Sequence, residues 1–222
     1  MRLILTTGWE DGLADLLHRL VKELAAGKQV LWLLSGGSNI QGSVEVMNNI
    51  SPRLRSKLTV TLGDERYGKV GHINSNFAQL LKAGFKPGRA KLIPVLQEGL
   101  SFEATAVRFD QYLCKAFQTA DTVIAQLGMG DDGHVSGILP HSPATETLTS
   151  LTTAYRAKPF DRMTLTFHGL EQISAAYVFA FGEPKRLALQ TLHHRRLPLA
   201  EQPVQILKQL REAYVYNDQV GD

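Results

Sequence analysis

The sequence predicts an α/β fold with a doubly wound, mainly parallel sheet and helices on both faces. Two observations predict it. Short, almost wholly apolar runs, such as QVLWLLS at 29–35 and TVIAQLG at 122–128, have the composition of strands buried on both faces. They alternate with longer segments of helical periodicity, such as 11–27 and 101–117. Because strands joined through helices form right-handed crossovers that cover the sheet, this alternation favours parallel strands.

The other predicted elements continue the alternation along the chain. Further strands are predicted at 57–62, 91–95 and 177–182, with two extended segments at 151–157 and 162–167. Further helices are predicted at 42–50, 74–85, 169–176, 183–192 and 203–217. No repeat or linker divides the chain, so we expect residues 1–222 to form a single α/β domain.

Composition and charge narrow the class of protein. Hydrophobic residues make up 44% and charged residues 20%, which is typical of a globular protein with a substantial core. The net charge of +3 is spread over Lys and Arg residues that are not interleaved with aromatic residues. We therefore expect no nucleic-acid partner and favour a small anionic substrate.

The same features indicate a cellular location. One cysteine offers no disulfide framework, and the start of the chain lacks a signal-peptide pattern. No apolar run approaches the roughly 20 residues that span a bilayer. We therefore expect a cytoplasmic protein with no membrane partner, while the sequence indicates no particular oligomeric state.

The turn SGGSN directly follows the strand predicted at 29–35. In sheets of this class ligands bind beyond the carboxyl ends of the strands. Gly36 and Gly37 allow close approach of the backbone, Ser35 and Ser38 supply hydroxyls, and the next helix directs its free N–H groups to the same place. This predicts a phosphate site, although without the Lys-Ser/Thr ending of an ATP or GTP loop. The alternative is a tight turn with a serine cap.

Charged residues follow two other strands. If the strand predicted at 57–62 continues, Asp64 and Arg66 project to the same side, above the expected pocket. A structural salt-bridge network is an equal alternative. Lys185 lies in the first turn of the helix predicted at 183–192, where the helix dipole opposes a cation, which indicates a nearby anion. An ordinary exposed lysine is the alternative.

The stretch GMGDDGH at 128–134 contains G-x-G-x-x-G but does not have the context of a dinucleotide site. Asp131 and Asp132 would repel a pyrophosphate, and the glycine turn does not follow the first strand. The sheet is therefore predicted to be Rossmann-like without a dinucleotide site. His134 beside an aspartate is instead the arrangement of a general base, with Asp131 or Asp132 orienting the ring.

Five motifs in order resemble those of the 6-phosphogluconolactonases, in the superfamily that also contains the glucosamine-6-phosphate deaminase/isomerases. They are LSGGSN, GDERY followed by NSN, GMGDDGH, DRMTLT and FGEPK, and they cover about residues 5 to 190. Asp64-Glu65-Arg66 followed by Ser75-Asn76 resembles the lactonase branch, whereas the deaminase branch is expected to show DEY and Ser-Tyr. Two alternatives stay open: a glucosamine-6-phosphate deaminase/isomerase and a non-catalytic phosphosugar-binding protein.

The resemblance implies hydrolysis of 6-phospho-D-glucono-1,5-lactone to 6-phosphogluconate in the oxidative pentose phosphate pathway. It implies a phosphosugar lactone as the small-molecule partner and neither a metal nor another cofactor. His134 would deprotonate the attacking water, and Asp132 would hold its ring. Asp64 would position the substrate only, because this reaction moves no carbon-bound proton.

The resemblance also implies how the phosphate is bound. The turn from Ser35 to Ser38 would contact it through backbone and hydroxyl groups, with Lys185, Arg66 and Arg162 as its positive partners. The chain departs from the family pattern after the histidine, because Val135 and Gly137 stand where the family has Thr and Ser. Ser136 is a candidate replacement for these two hydroxyls.

Overall fold

The strands and helices of the protein alternate as the sequence predicts. The computed structural model describes residues 1–147 and 149–221. The strands are β1 (Arg2–Leu5), β2 (Val30–Leu34), β3 (Leu58–Leu62), β4 (Asp64–Arg66), β5 (Lys91–Leu92), β6 (Thr122–Gly128), β7 (Thr152–Tyr155), β8 (Arg162–Leu165), β9 (Ala175–Ala180) and β10 (Ala213–Asn217). The helices are α1 (Glu10–Ala25), α2 (Asn39–Asn49), α3 (Asn76–Lys82), α4 (Phe102–Thr119), α5 (Phe167–Glu171) and α6 (Arg186–His194). Short 3-10 helices occupy Arg55–Lys57, Pro143–Glu146, Glu183–Lys185 and Pro203–Lys208.

Seven of the strands form one parallel sheet in the order β1-β10-β9-β6-β2-β3-β5. The strands β4, β8 and β7 form a small antiparallel sheet beside it. The mainly parallel α/β architecture predicted from the sequence is therefore confirmed.

The chain changes direction across the sheet between β2 and β6. From β2 it proceeds outward to β3 and β5, whereas β6 begins the half of the sheet that contains β9 and β10. The two strands are direct neighbours, with Val30 opposite Thr122 and Leu33 opposite Ala125. Connections leave their carboxyl ends in opposite directions and open a crevice, which is where sheets of this class bind ligands.

The central strands are buried on both faces. Every residue of β2 and of β9 is buried, and Trp32 is the largest fully buried side chain. Because neighbouring side chains of a strand point to opposite faces, this burial requires cover on both sides. The helices α1 and α2 pack on each other and on β2 and β6. The continuous apolar runs that predicted these strands thus reflect double-sided packing.

The prediction of a terminal helix at 203–217 is wrong. Pro203–Lys208 forms a 3-10 helix, and Ala213–Asn217 is β10, which lies between β1 and β9. The segment AYVYN is rich in aromatic and β-branched residues, which fit a pleated sheet. A short apolar run does not distinguish a buried strand from a buried helix by periodicity alone. Here the segment forms a strand because it pairs with β1 on one side and with β9 on the other.

The helix predicted at 169–176 is also wrong in part. The helix α5 ends at Glu171, and β9 already begins at Ala175. Alanine favours a helix intrinsically, but here Ala175 and Ala176 pair with β6. Tertiary pairing therefore overrides the local preference of these two residues.

In the part of the chain that the structure describes, no helix combines the length and the apolar character needed to cross a bilayer.

The position of β10 inside the sheet predicts a large effect of a charge at Val215. This side chain is fully buried, so Val215→Asp leaves an uncompensated buried charge and should lower the free energy of unfolding by about 3 kcal/mol or more. Urea denaturation measures this value. The control Arg211→Asp changes an exposed residue just before the strand and should shift stability by about 0.5 kcal/mol at most. Equal stability of the two variants would contradict an internal strand.

Candidate active site

A cavity of about 250 Å³ opens at the carboxyl ends of β2 and β6 and is bounded by β4 and β8. Nine of the ten residues selected from the sequence line it, and the tenth, Asp132, is an exposed residue that is hydrogen-bonded to His134. The nine are Ser35, Gly36, Gly37, Ser38, Asp64, Arg66, His134, Arg162 and Lys185. The topological crevice and the chemically selected residues therefore coincide.

His134 and Asp132 form a hydrogen-bonded pair at the cavity. His134 Nδ1 lies 2.7 Å from Asp132 Oδ1, and the backbone N–H of His134 donates to the same oxygen at 3.0 Å. A carboxylate only accepts, so Nδ1 carries the hydrogen of the neutral ring and Nε2 keeps a lone pair. Of the two aspartates that the sequence left as alternatives, Asp132 is the partner.

The ionised state of Asp132 supports this arrangement. Partial burial acts to raise its pKa, but the hydrogen bonds from the ring and backbone of His134 outweigh burial and lower the pKa to about 2. Asp132 is therefore a carboxylate at neutral pH and stabilises positive charge on the ring.

Gly130 makes room for the pair. Its N–H donates to the carbonyl of His134 at 2.9 Å, and its own carbonyl accepts from Gly133 N–H at 3.1 Å, which closes a tight turn. A Cβ at position 130 would overlap both His134 Nδ1 and Asp132 Oδ1. The glycine that matches a dinucleotide pattern in letters thus serves the His134–Asp132 pair.

The SGGSN turn connects the end of β2 to the N-terminus of α2 at the cavity. Gly37 has a φ of 64°, a left-handed conformation that favours glycine. At Gly36, a Cβ would overlap the side-chain amide of Asn76. Ser38 precedes α2 but makes no side-chain cap hydrogen bond, so the alternative of a serine-capped turn is wrong. Ser35, Gly36, Gly37 and Ser38 of the turn all line the cavity.

Two arginines lie opposite each other on the small antiparallel sheet. Arg66 of β4 pairs in register with Arg162 of β8, and both line the cavity. Like charges directly opposite on paired strands repel. Among the described residues, neither arginine nor Lys185 makes an ion pair with an acidic side chain. The alternative of a salt-bridge network here is therefore wrong, and three cationic side chains are available to an anion.

Asp64 is the buried carboxyl beside these cations. Asn76 Nδ2 donates to its carbonyl at 3.1 Å and to its Oδ2 at 3.2 Å. Burial raises the pKa of Asp64, although Arg162, His134 and Arg66 act to lower it. The predicted projection of Asp64 and Arg66 to one side of the strand is confirmed by their shared position on the cavity wall.

Sequence reasoning missed Glu65, a buried residue whose hydrogen bonds hold part of the cavity wall in place. Its carboxylate is 1% exposed and accepts from the N–H groups of Arg66, Asn76 and Phe77 and from the hydroxyl of Ser75. These bonds join β4 to the start of α3. The alternation within DER was the available signal, because it directs Glu65 away from the face of its two neighbours.

Asn39 and Asn76 also line the cavity without having been selected as binding residues. Their Oδ1 atoms are buried and accept no hydrogen bond from a described residue. Asn39 lies in the motif SGGSN and Asn76 in the motif NSN, but the sequence does not show that their side chains turn inward.

Within residues 1–147 and 149–221, no three side chains of His, Cys, Asp or Glu are grouped so that they could hold a metal ion.

Comparisons with known proteins identify a family. A model of the glucosamine-6-phosphate isomerases/6-phosphogluconolactonase family matches residues 9–216. A 6-phosphogluconolactonase of Pseudomonas putida is 34% identical over 65% of this chain, and one of Pseudomonas aeruginosa is 33% identical over 60%. These matches span 59% and 56% of the relatives, which is less than two thirds of their lengths.

Solved structures show the same fold. A 6-phosphogluconolactonase from Shewanella baltica superposes with a TM-score of 0.81 at 21% identity, over 97% of this chain and 96% of that one. A monomeric glucosamine-6-phosphate deaminase superposes with a TM-score of 0.77 at 19% identity, over 98% and 97% of the two chains. Each of these two structures therefore has the fold of this chain.

The Asp132–His134 contact predicts a pH-dependent signal. His134→Ala removes the ring hydrogen bond, so the pKa of Asp132 should rise from about 2 towards the ordinary value of about 3.9. Carboxyl ¹³C NMR during an acid titration measures it. Because the folded pKa is depressed, the contact stabilises the native state above about pH 4 and this contribution is lost as the pH falls towards 2. The control His18→Ala changes an exposed residue. If the Asp132 carboxyl titrates with the same midpoint in His134→Ala and in His18→Ala, the contact is contradicted.

Proposed function

The chain belongs to the glucosamine-6-phosphate isomerase/6-phosphogluconolactonase family, and we propose that it hydrolyses 6-phospho-D-glucono-1,5-lactone to 6-phosphogluconate in the oxidative pentose phosphate pathway. One observation carries the proposal: the His134–Asp132 pair stands at a cavity lined by three cationic side chains that form no ion pair with an acidic side chain among the described residues. A base beside an anion-binding surface suits a phosphorylated substrate that is attacked by water.

His134 Nε2 takes a proton from a water molecule as the water oxygen attacks the lactone carbonyl carbon. The charge that develops on the ring is stabilised by the ionised Asp132. Collapse of the tetrahedral intermediate breaks the bond between the carbonyl carbon and the ring oxygen. The proton held by His134 passes to that oxygen, so the base is regenerated and the product is a hydroxy acid.

The other groups of the site stabilise either the carbonyl oxygen or the phosphate of the substrate. Backbone N–H groups or Arg66 stabilise the oxyanion of the intermediate. The SGGSN turn, the N-terminus of α2, Lys185 and Arg162 hold the phosphate. Asp64 positions the substrate, because no carbon-bound proton moves in this reaction and its carboxyl is buried among the cations.

The composition of the chain bears on its cellular location and its partners. We propose a cytoplasmic enzyme whose partner is the small phosphosugar lactone, with no nucleic-acid or membrane partner and no metal or redox cofactor in the catalytic step. The scattered basic residues and the single cysteine support this assignment.

The proposal predicts rapid hydrolysis of freshly generated 6-phosphogluconolactone. The wild-type protein should exceed the spontaneous rate, and His134→Ala should lower kcat by about 10²-fold to 10⁴-fold, the contribution of a positioned general base. Acid release at constant pH measures the rate. His18→Ala, which removes an exposed imidazole on α1, should retain full activity.

Two other results would indicate a different function. Ammonia release from glucosamine 6-phosphate, with no lactone hydrolysis, would indicate a deaminase/isomerase. Tight binding of 6-phosphogluconate without turnover would indicate a phosphosugar-binding protein. Full activity of His134→Ala would contradict the assigned base.

A further inference from the structure

Ser136 is held in an unfavourable backbone conformation at the cavity wall. Its φ is 51°, in the left-handed region that L-residues other than Asn, Asp and Gly seldom adopt. Such conformations are unfavourable and persist where the surrounding structure enforces them, often at functional sites. The turn that enforces it is closed by hydrogen bonds from Gly137 N–H to Thr164 Oγ1 at 2.9 Å and from Tyr155 Oη to the Gly137 carbonyl at 2.6 Å.

The hydroxyl of Ser136 is buried without a protein partner. The residue is 7% exposed, and its Oγ makes no hydrogen bond with any described residue. A buried hydroxyl without a hydrogen-bond partner destabilises the folded state, because it has lost its hydrogen bonds to water. The unfavourable backbone conformation and the burial of the hydroxyl thus affect the same residue, and no hydrogen bond from another described residue compensates them.

The other unsatisfied atoms at this cavity indicate what kind of ligand compensates them. Besides Ser136 Oγ, they are Asn39 Oδ1, Asn76 Oδ1 and Arg162 Nε. Asn76 Nδ2 donates to Asp64, so its Oδ1 is an acceptor. The set therefore combines acceptors, a donor and a hydroxyl that does both.

A phosphate does not satisfy this combination, because it mainly accepts hydrogen bonds. Hydroxyl groups, which donate and accept, satisfy it fully. The phosphate-binding features, by contrast, are the cations and the backbone of the SGGSN turn. Ser136, Asn39 and Asn76 thus add neutral polar groups to the cations of the cavity, and Arg162 belongs to both sets because its Nε is also without a partner among the described residues.

We propose that the Ser136 hydroxyl hydrogen-bonds a ring hydroxyl of the phosphosugar lactone and so selects a polyhydroxylated substrate. The proposal rests on the proposed function for the identity of the sugar. It assigns Ser136 to substrate binding, two residues after the catalytic base, and gives it no part in proton transfer.

The test compares Ser136→Ala with Ser142→Ala, which removes another buried hydroxyl outside the cavity. Loss of one neutral hydrogen bond, about 1 kcal/mol, corresponds to about a 5-fold change in Kd. We expect Ser136→Ala to raise KM for the lactone and Kd for 6-phosphogluconate by about 5-fold, with kcat within about 2-fold of the wild type. Ser142→Ala should leave both constants unchanged.

Stability separates a binding role from a structural one. Because the hydroxyl has no protein partner, Ser136→Ala should not lower Tm. A second variant, Ser136→Gly, accepts the left-handed backbone and also lacks the hydroxyl, so it should fold and show the same loss of affinity. Wild-type affinity in either variant would overturn the proposal, as would a fall in kcat with KM unchanged.

Deoxy analogues identify the contact. Calorimetry with 2-, 3- and 4-deoxy-6-phosphogluconate should show one analogue that wild type and Ser136→Ala bind equally. If wild type binds all three analogues more tightly than Ser136→Ala does, by the same factor as for 6-phosphogluconate, the proposal is overturned. If the wild type hydrolyses the lactone but Ser136→Ala binds normally, only this inference fails. If the wild type does not hydrolyse it but Ser136→Ala weakens 6-phosphogluconate binding, the proposed function fails and the contact stands.

Discussion

The site depends on the parallel pairing of β2 with β6. This pairing brings the SGGSN turn beside the GMGDDGH turn, although the two are far apart in the chain. A buried polar contact fixes their relation: Gln126 of β6 donates to the carbonyl of Asn39 at 3.1 Å and accepts from Ser43 of α2 at 3.0 Å. Because these groups are fully buried, they hold the start of α2 at one position relative to β6. Both turns therefore line the same cavity.

The distribution of charge complements this scaffold. Asp132 accepts hydrogen bonds from the ring and the backbone of His134, whereas the acidic neighbour of the arginines, Asp64, is buried and has a raised pKa. Arg66, Arg162 and Lys185 line the cavity without an ion pair among the described residues, and the His134–Asp132 pair lies at the same cavity. Because the binding charges and the base belong to different residues, an anionic substrate can be held without protonating or displacing the base.

The sequence predicted what is encoded locally. The strands around 29–35 and 122–128 follow from continuous apolar runs, and the Asp132–His134 pair follows from neighbouring residues at a strand end. Long-range pairing is not visible in this way: the opposition of Arg66 and Arg162, and the insertion of β10 between β1 and β9, depend on segments distant in the chain. The inward turn of Asn39 and Asn76 likewise depends on packing, which no single motif specifies.

A crystal structure of the protein with 6-phosphogluconate tests the central claim most directly. The account predicts that the product carboxylate lies within hydrogen-bonding reach of His134 Nε2. It predicts that the phosphate contacts the backbone N–H groups of the SGGSN turn and at least one of the three cations. A product bound outside the cavity, or with its phosphate at His134 and its carboxylate at the turn, would contradict the account.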